Sequence, residues 1–409
     1  MRKLFILLLM CFVCLLLSLL AYAELEELAA GEDYYMRFMG QGISINVYNW
    51  GEYISDGSDD TLNVNAEFEA LTGIRVYYST YATNEELYSK LKGGGASYDV
   101  IIPSDYMISR MISENMLEPL DYSNIPNFGK VGEEFVNPSY DPQNEYSVPY
   151  MWGITGIIYN TTMVDEDEEI TSWDILWDQR FMGQILMFSN QRDAFGIAQF
   201  RRGFSVNTAA PEELRTCLED LKEQKLLVQA YVMDEIFDKM LGGEAALAPY
   251  YAGDAVIMMD ENPDLAFAIP VEGVNSFVDA ACIPKGSRRK EAAEMYINFL
   301  CEPEVSAANS EYIGYATPIE EALEFLDEEF AENPIVFPSD EILENTESFN
   351  ELPREINLLL DSYWTELLSS DENYSRLLVP VLLFAGIILS VGINVYRVIN
   401  KRKKQKYYF

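Results

Sequence analysis

The stretch YNWGEY, residues 48–53, places Trp50, Glu52 and Tyr53 around Gly51 at the end of a run that reads as a β-strand. Two ring faces beside a carboxylate suit a positively charged partner, because a cation is attracted to an aromatic face and to a negative charge alike. Two other strand ends, Ser79–Tyr81 and Ser104–Tyr106, also offer hydroxyls and aromatics. The chain has no histidine, which removes Ser-His-Asp and Cys-His chemistry and argues against zinc.

The elements that position these groups alternate. SINVYNW reads as a strand, and TLNVNAEFEALTG as a helix with Leu62, Phe68 and Leu71 on one face and Gly73 as its stop. IRVYYSTY is a strand and NEELYSKLKGGG a helix capped by Asn84. YDVIIPS is a nearly continuous apolar strand, as expected for one covered on both faces, and DYMISRMISENML is again helical. This β-α-β-α-β order predicts a parallel sheet, with ligands beyond the carboxyl ends of its strands. After YSVPYMWGITGIIYN the α/β pattern restarts, and helices at 288–302 and 352–368 with the turn IGYATP close the fold. No repeat or low-complexity linker separates the halves, so crossing strands are expected to join them.

The ends carry different signals. Residues 1–23 read as a secretory signal: Arg2 and Lys3, an apolar stretch, and small residues at Ala21–Ala23. Cys11 and Cys14 are not preceded by the small residues that lipoprotein processing uses, so cleavage is expected, with an uncleaved anchor as the alternative. Residues 24–42 read as an acidic, mobile leader. Residues 377–396 form a 20-residue apolar run followed by a basic tail, 397–409. At ~1.5 Å rise per residue such a run spans a ~30 Å bilayer core, and the basic tail marks the cytoplasmic side. The folded part is thus expected outside the cytoplasmic membrane, tethered by its C-terminus. Residues 24–375 hold all 67 acidic residues and 19 of the 28 basic ones, a net charge of −48. That field repels nucleic acid and attracts cations. Cys217, Cys282 and Cys301 have no disulfide or metal spacing and read as small buried residues.

Several motifs fail on inspection. DGSDDTLNVNAE has calcium-loop spacing, but Thr61 stands where the turn needs glycine, so it reads as a helix entry. The glycines 93–95 lack the basic residue of a P-loop. Glu166–Glu169 reads as a solvated acidic run. A carboxylate-pair glycosidase stays open, since sequence does not give the separation of two carboxyls.

Six segments in order resemble the spermidine/putrescine-binding proteins of bacterial ABC importers: YNWGEY, GIRVYYSTYATNEELYSKLKGG, YDVIIPSDYMISRM, YSVPYMWGITGIIYN, TSWDILW and IGYATP. The resemblance runs from about residue 43 to about 368. It implies a type II periplasmic-binding-protein fold, two α/β lobes joined by a hinge, with a polyamine extended between carboxylates and aromatic faces. The lobes would be 43–151 with 279–322, and 152–278 with 323–370. Trp50, Glu52 and Tyr53 match the family's first contact cluster, and Ser104 and Tyr106 its second. Asp193 stands at an acidic ligand position, with Asn190 where the spermidine-binding type often has aspartate. Tyr251 replaces a tryptophan, and Asp254 matches the putrescine-preferring type. Phe277 occupies an aromatic position, Asp279 that of the central carboxylate, and Tyr315 another cleft position; Asn350 aligns loosely with a polar contact. Asn190, Asp254 and Phe277 lean to putrescine, while Glu52 and the N-terminal segments lean to spermidine. The resemblance implies a receptor and not an enzyme, without cofactor or metal, a monomer that delivers ligand to a permease and its ATPase. The alternatives are a receptor for another cationic solute, a sensor component, or the glycosidase.

Overall fold

The structure, a computed structural model, describes residues 25, 28–94, 97–165 and 167–370. The signal segment, the apolar run 377–396 and the basic tail lie outside the described residues. Among the described residues no helix is long and apolar enough to cross a membrane. The chain forms two compact units, one running to Pro353 and one from Arg354. In the second unit the described helix Arg354–Ser369 buries Ile356, Leu360 and Leu367, positions that share one helical stripe.

The first unit is built on one sheet. Its strands are β1 (Ser44–Trp50), β2 (Arg75–Tyr81), β3 (Val100–Ile101), β4 (Ser147–Asn160), β5 (Ile185–Phe188), β6 (Val228–Val232), β7 (Leu247–Tyr251), β8 (Leu265–Ala268), β9 (Val274–Cys282) and β10 (Thr346–Glu347). The order is β2-β1-β3-β9-β4-β7-β5-β6, with β8 paired to β4 and β10 to β9. β1 lies parallel between β2 and β3, as the alternating pattern predicts, and β5 lies parallel between β6 and β7. The two parallel groups are joined by the long antiparallel pair β4 and β9. The first part of β4 pairs with β9, and Thr155–Asn160 pairs with β7 and β8. Crossing strands therefore connect the halves of the sheet.

Local chemistry explains the element ends. Asn63 caps the helix Val64–Thr72 by accepting from Ala66 N, and Gly73 ends it at φ 70°, a left-handed position that costs glycine little. The helix Asn84–Lys92 is capped by Thr83, whose hydroxyl accepts from Glu86 N at 3.1 Å, not by Asn84 as the sequence suggests. Asn84 is instead buried and donates to Ser104 Oγ at 3.1 Å. Asp56 accepts from Ser58 N at 2.9 Å, so the calcium-like stretch is a turn leading into a helix. β3 is only two residues long, yet Val100, Ile101 and Ile102 are all buried, which matches the two-sided cover read from the apolar run. Cys217, Cys282 and Cys301 are free and buried.

A second expectation is overturned. The leader is not a loose tether, because Tyr35 is fully buried and packs edge-on against Phe299 at 5.8 Å. Its hydroxyl donates to the buried Glu302 at 2.6 Å and accepts from Asn298 at 2.8 Å. Ala29 and Ala30 donate their backbone N–H groups to the same Glu302 carboxylate. An apolar ring and a buried acceptor that needs donors fix the segment, and its acidic composition hides both. Tyr35→Phe leaves Glu302 and Asn298 each short of a partner and should cost about 1–3 kcal/mol of stability. Urea denaturation checks this; an unchanged midpoint would show that the hydroxyl contributes nothing to docking.

Candidate functional site

A narrow cavity of roughly 660 Å³, counted with its open mouth, lies where the carboxyl ends of strands from both halves of the sheet converge. The turn after β1 delivers Trp50, Glu52 and Tyr53. Asn49 holds that turn, accepting from Trp50 N at 2.9 Å and donating to Tyr53 O at 3.1 Å. Glu52 sits at φ 46°, the left-handed region that residues with a side chain seldom adopt. The carbonyl of Tyr53 also accepts from Tyr150 at 2.9 Å, so backbone strain at Glu52 is held by neighbours on both sides.

Ser104 and Tyr106 follow β3 at the start of the helix Asp105–Ser113. Asp193 lies in the first turn of the helix Gln191–Arg202 after β5. Tyr251 ends β7, and Asp254 begins the helix Ala252–Glu261 that follows. Phe277 and Asp279 come from β9, and Tyr315 follows the helix Pro303–Ile313. The cavity brings all eleven sequence-selected residues together. Asn350 does not line it, whereas its neighbour Phe349 does. Tyr81, from the third strand end, supports the wall: it packs on Trp50 at 4.7 Å and donates to Ile102 O at 2.7 Å.

Three carboxylates are each held by one tyrosine. Tyr53 donates to Asp279 at 2.7 Å, Tyr251 to Asp193 at 3.0 Å and Tyr315 to Asp254 at 2.9 Å. The rings form a continuous chain: Tyr251 to Phe277 at 5.4 Å, Phe277 to Tyr315 at 6.1 Å, and Tyr315 to Tyr53 at 5.2 Å, all edge-on. Glycine makes room for this wall. One edge of the Tyr315 ring crowds Gly253, where a side chain would collide with it, and the opposite edge lies beside Gly153.

The electrostatics are one-sided. Burial pushes Asp279 up to about 6, against the pull of the Ser104 and Tyr53 hydroxyls. Its Oδ1 is buried without a hydrogen-bond partner. Burial lifts Asp254 to about 7, with Tyr315 pulling down and the charges of Asp234, Glu52 and Asp279 adding to the rise. Asp193 also rises to about 7, first through burial, with Tyr251 and Arg192 opposing and Glu85 adding. None of these three carboxylates makes an ion pair with lysine or arginine among the described residues. Arg192, the nearest buried cation, stacks over Phe349 at 4.5 Å and over Tyr106 at 5.4 Å. Its guanidinium donates to the carbonyls of Val206 and Asn350, away from the cavity acids. Among the described residues no three acidic or cysteine side chains converge as a metal site would require. The acids are spread along the wall, an arrangement for several separate positive charges.

Sequence reading missed Asp105, Asp234, Phe237, Tyr250 and Phe349 on the lining. Asp105 lies inside the strand end already noted, between Ser104 and Tyr106. It is buried, accepts from Tyr106 N at 2.6 Å and Val278 N at 3.4 Å, and burial pushes it up to about 8. The others come from segments whose approach is set by the crossing strands, and no local motif marks them.

Against this geometry stand the likenesses to known proteins. Residues 96–346 match the family described as Bacterial extracellular solute-binding protein. The chain is 34% identical over 306 residues to the Spermidine/putrescine-binding periplasmic protein of Escherichia coli (strain K12), covering 75% of this chain and 86% of that one. It is 28% identical over 342 residues to the Putrescine-binding periplasmic protein SpuD of Pseudomonas aeruginosa (strain UCBPP-PA14), covering 80% and 92%. Its fold superposes with a TM-score of 0.67 on the spermidine/putrescine ABC transporter substrate-binding protein of Streptococcus pneumoniae, at 35% identity over 80% of this chain and 98% of that one. With an α/β periplasmic-binding-protein fold, the chain belongs to the bacterial extracellular solute-binding proteins, a family of receptors and not of enzymes.

Proposed function

We propose that this chain is an extracytoplasmic receptor that binds a polyamine, putrescine or spermidine, and delivers it to the permease of an ABC importer. The observation that carries the reading is the wall on which the buried Asp193 and Asp279 and the half-buried Asp254 stand among aromatic rings with no lysine or arginine ion pair among the described residues. Burying unpaired charge is costly, and an ammonium placed between rings and carboxylates removes that cost. Each methylene of the ligand buried against the rings adds about 0.8 kcal/mol. Trp50, Glu52, Tyr53, Ser104, Tyr106, Asp193, Tyr251, Asp254, Phe277, Asp279 and Tyr315 are the ligand contacts on this reading. The two sheet halves act as lobes, 43–151 with 279–322 and 152–278 with 323–370, and close about the β4–β9 crossing. The names of the relatives at 34% and 28% identity support the ligand class.

We place the receptor on the outer face of the cytoplasmic membrane, anchored by 377–396, with 397–409 in the cytoplasm. Tethering keeps a receptor near its transporter and raises its effective concentration there. Membrane fractions should retain the full chain through a high-salt wash and lose it when the chain is ended at residue 375. A full chain that washes off with salt would remove the anchor.

Calorimetric titration of the purified full chain with putrescine, spermidine and an amino acid tests the ligand class. A polyamine should bind one to one and the amino acid should not; the reverse pattern would assign the receptor to another solute. Asp279→Asn should lose about 2–5 kcal/mol of binding, because a ligand ammonium then faces a neutral amide in a buried site. Unchanged affinity in a folded variant would remove Asp279 from the site.

The raised carboxyls also set a pH dependence. Between the unfolded aspartate value of about 3.9 and folded values of about 6 to 7, the empty receptor holds more protons than the unfolded chain. These groups therefore destabilise the empty fold above pH 7, and that penalty disappears as the pH falls towards 4. Ligand needs the ionised forms, so affinity should fall from pH 8 to pH 5 and binding near pH 6.5 should release protons. The ligand-induced rise in melting temperature, which follows RT ln(1 + [L]/Kd), should shrink over that range. A constant rise from pH 8 to pH 5 would contradict the assignment of these carboxyls as counter-charges.

A further inference from the structure

The mouth of the cavity carries a second carboxylate facing Glu52. Asp234 lies just beyond β6, the last strand of one sheet half, and Gly51 just beyond β1 in the other. The Asp234 carboxylate rests on Gly51 at the place where any other residue would carry its side chain. Glu52 comes next in the chain. Both carboxylates are exposed, and neither makes an ion pair or a side-chain hydrogen bond among the described residues. Two acids from opposite halves of the sheet thus stand together over the opening with nothing between them to cancel their repulsion.

The cavity acids then fall into three stations. Asp193 and Asp279 are buried at the two inner stations. Asp254 is half-buried, and Asp234 and Glu52 are exposed, which puts the third station at the mouth. A diamine carries two charges and can satisfy the two inner stations; a triamine carries a third. Like charges that face each other across an opening favour separation, and a cation between them turns the same geometry into attraction.

We propose that Asp234 is a ligand residue that pairs with Glu52 across the mouth, so that the terminal ammonium of a triamine draws the two sheet halves together. This inference rests on the polyamine reading above and adds to it a residue and a means of closure. Gly51 is part of the device, since a side chain there would displace the Asp234 carboxylate from its present place.

Surface plasmon resonance with the full chain tests it, comparing Asp234→Asn and Gly51→Ala with the natural sequence against spermidine and putrescine. Because the pair is exposed, each substitution should weaken spermidine binding by only about three- to tenfold, mainly through faster dissociation. The loss for putrescine should be smaller, below about twofold. Gly51→Ala moves the Asp234 carboxylate without changing any charge, so it separates position from net charge. Equal losses for the two amines, or no loss for spermidine, would overturn the role of Asp234 and leave the polyamine reading standing. Failure of the natural sequence to bind either amine would overturn both.

Discussion

The site depends on the cost of keeping ionisable oxygens out of water without an ion-pair partner among the described residues. Asp279 is 4% exposed and Asp193 5% exposed, values typical of apolar core residues. A protein ordinarily neutralises such groups with arginine or lysine, or does not bury them. Here each receives a tyrosine hydroxyl, and burial raises each carboxyl above the ordinary aspartate range. On the proposed reading, an incoming ammonium relieves that deficit.

The architecture keeps that deficit in place. Parallel strands end at the cavity from both sides of the β4–β9 crossing, and their ends deliver acids at the first turns of helices. Aromatic rings run along the wall among Asp193, Asp254 and Asp279. Gly153 and Gly253 leave room for the Tyr315 ring between them, and Gly51 leaves room for the Asp234 carboxylate. A small residue matters at each of these points because a ring or a charge must come close to the backbone.

Much of this was legible in the sequence. The β-α-β-α-β alternation gave the parallel β1–β2–β3 group, and the apolar VII run gave a strand covered on both faces. The six family-like segments drew attention to eleven residues that the fold gathers around one cavity. What escaped reading has a common cause. The docking of Tyr35 depends on Glu302, 267 positions away, and an acidic leader shows no sign of it. Asn84 has the chemistry of a cap, but Thr83 precedes it and Ser104 competes for its amide. Asp234 lies in a stretch whose own residues announce only a short helix, and its meeting with Gly51 is set by two distant strands.

The most direct test of the central claim is carbon-13 NMR of the Asp279 carboxyl, assigned by comparison with Asp279→Asn, at pH 5.5 with and without putrescine or spermidine. The account predicts a largely protonated carboxyl in the empty receptor that becomes ionised when a polyamine binds. An Asp279 carboxyl whose ionisation is the same with and without a bound polyamine would contradict it.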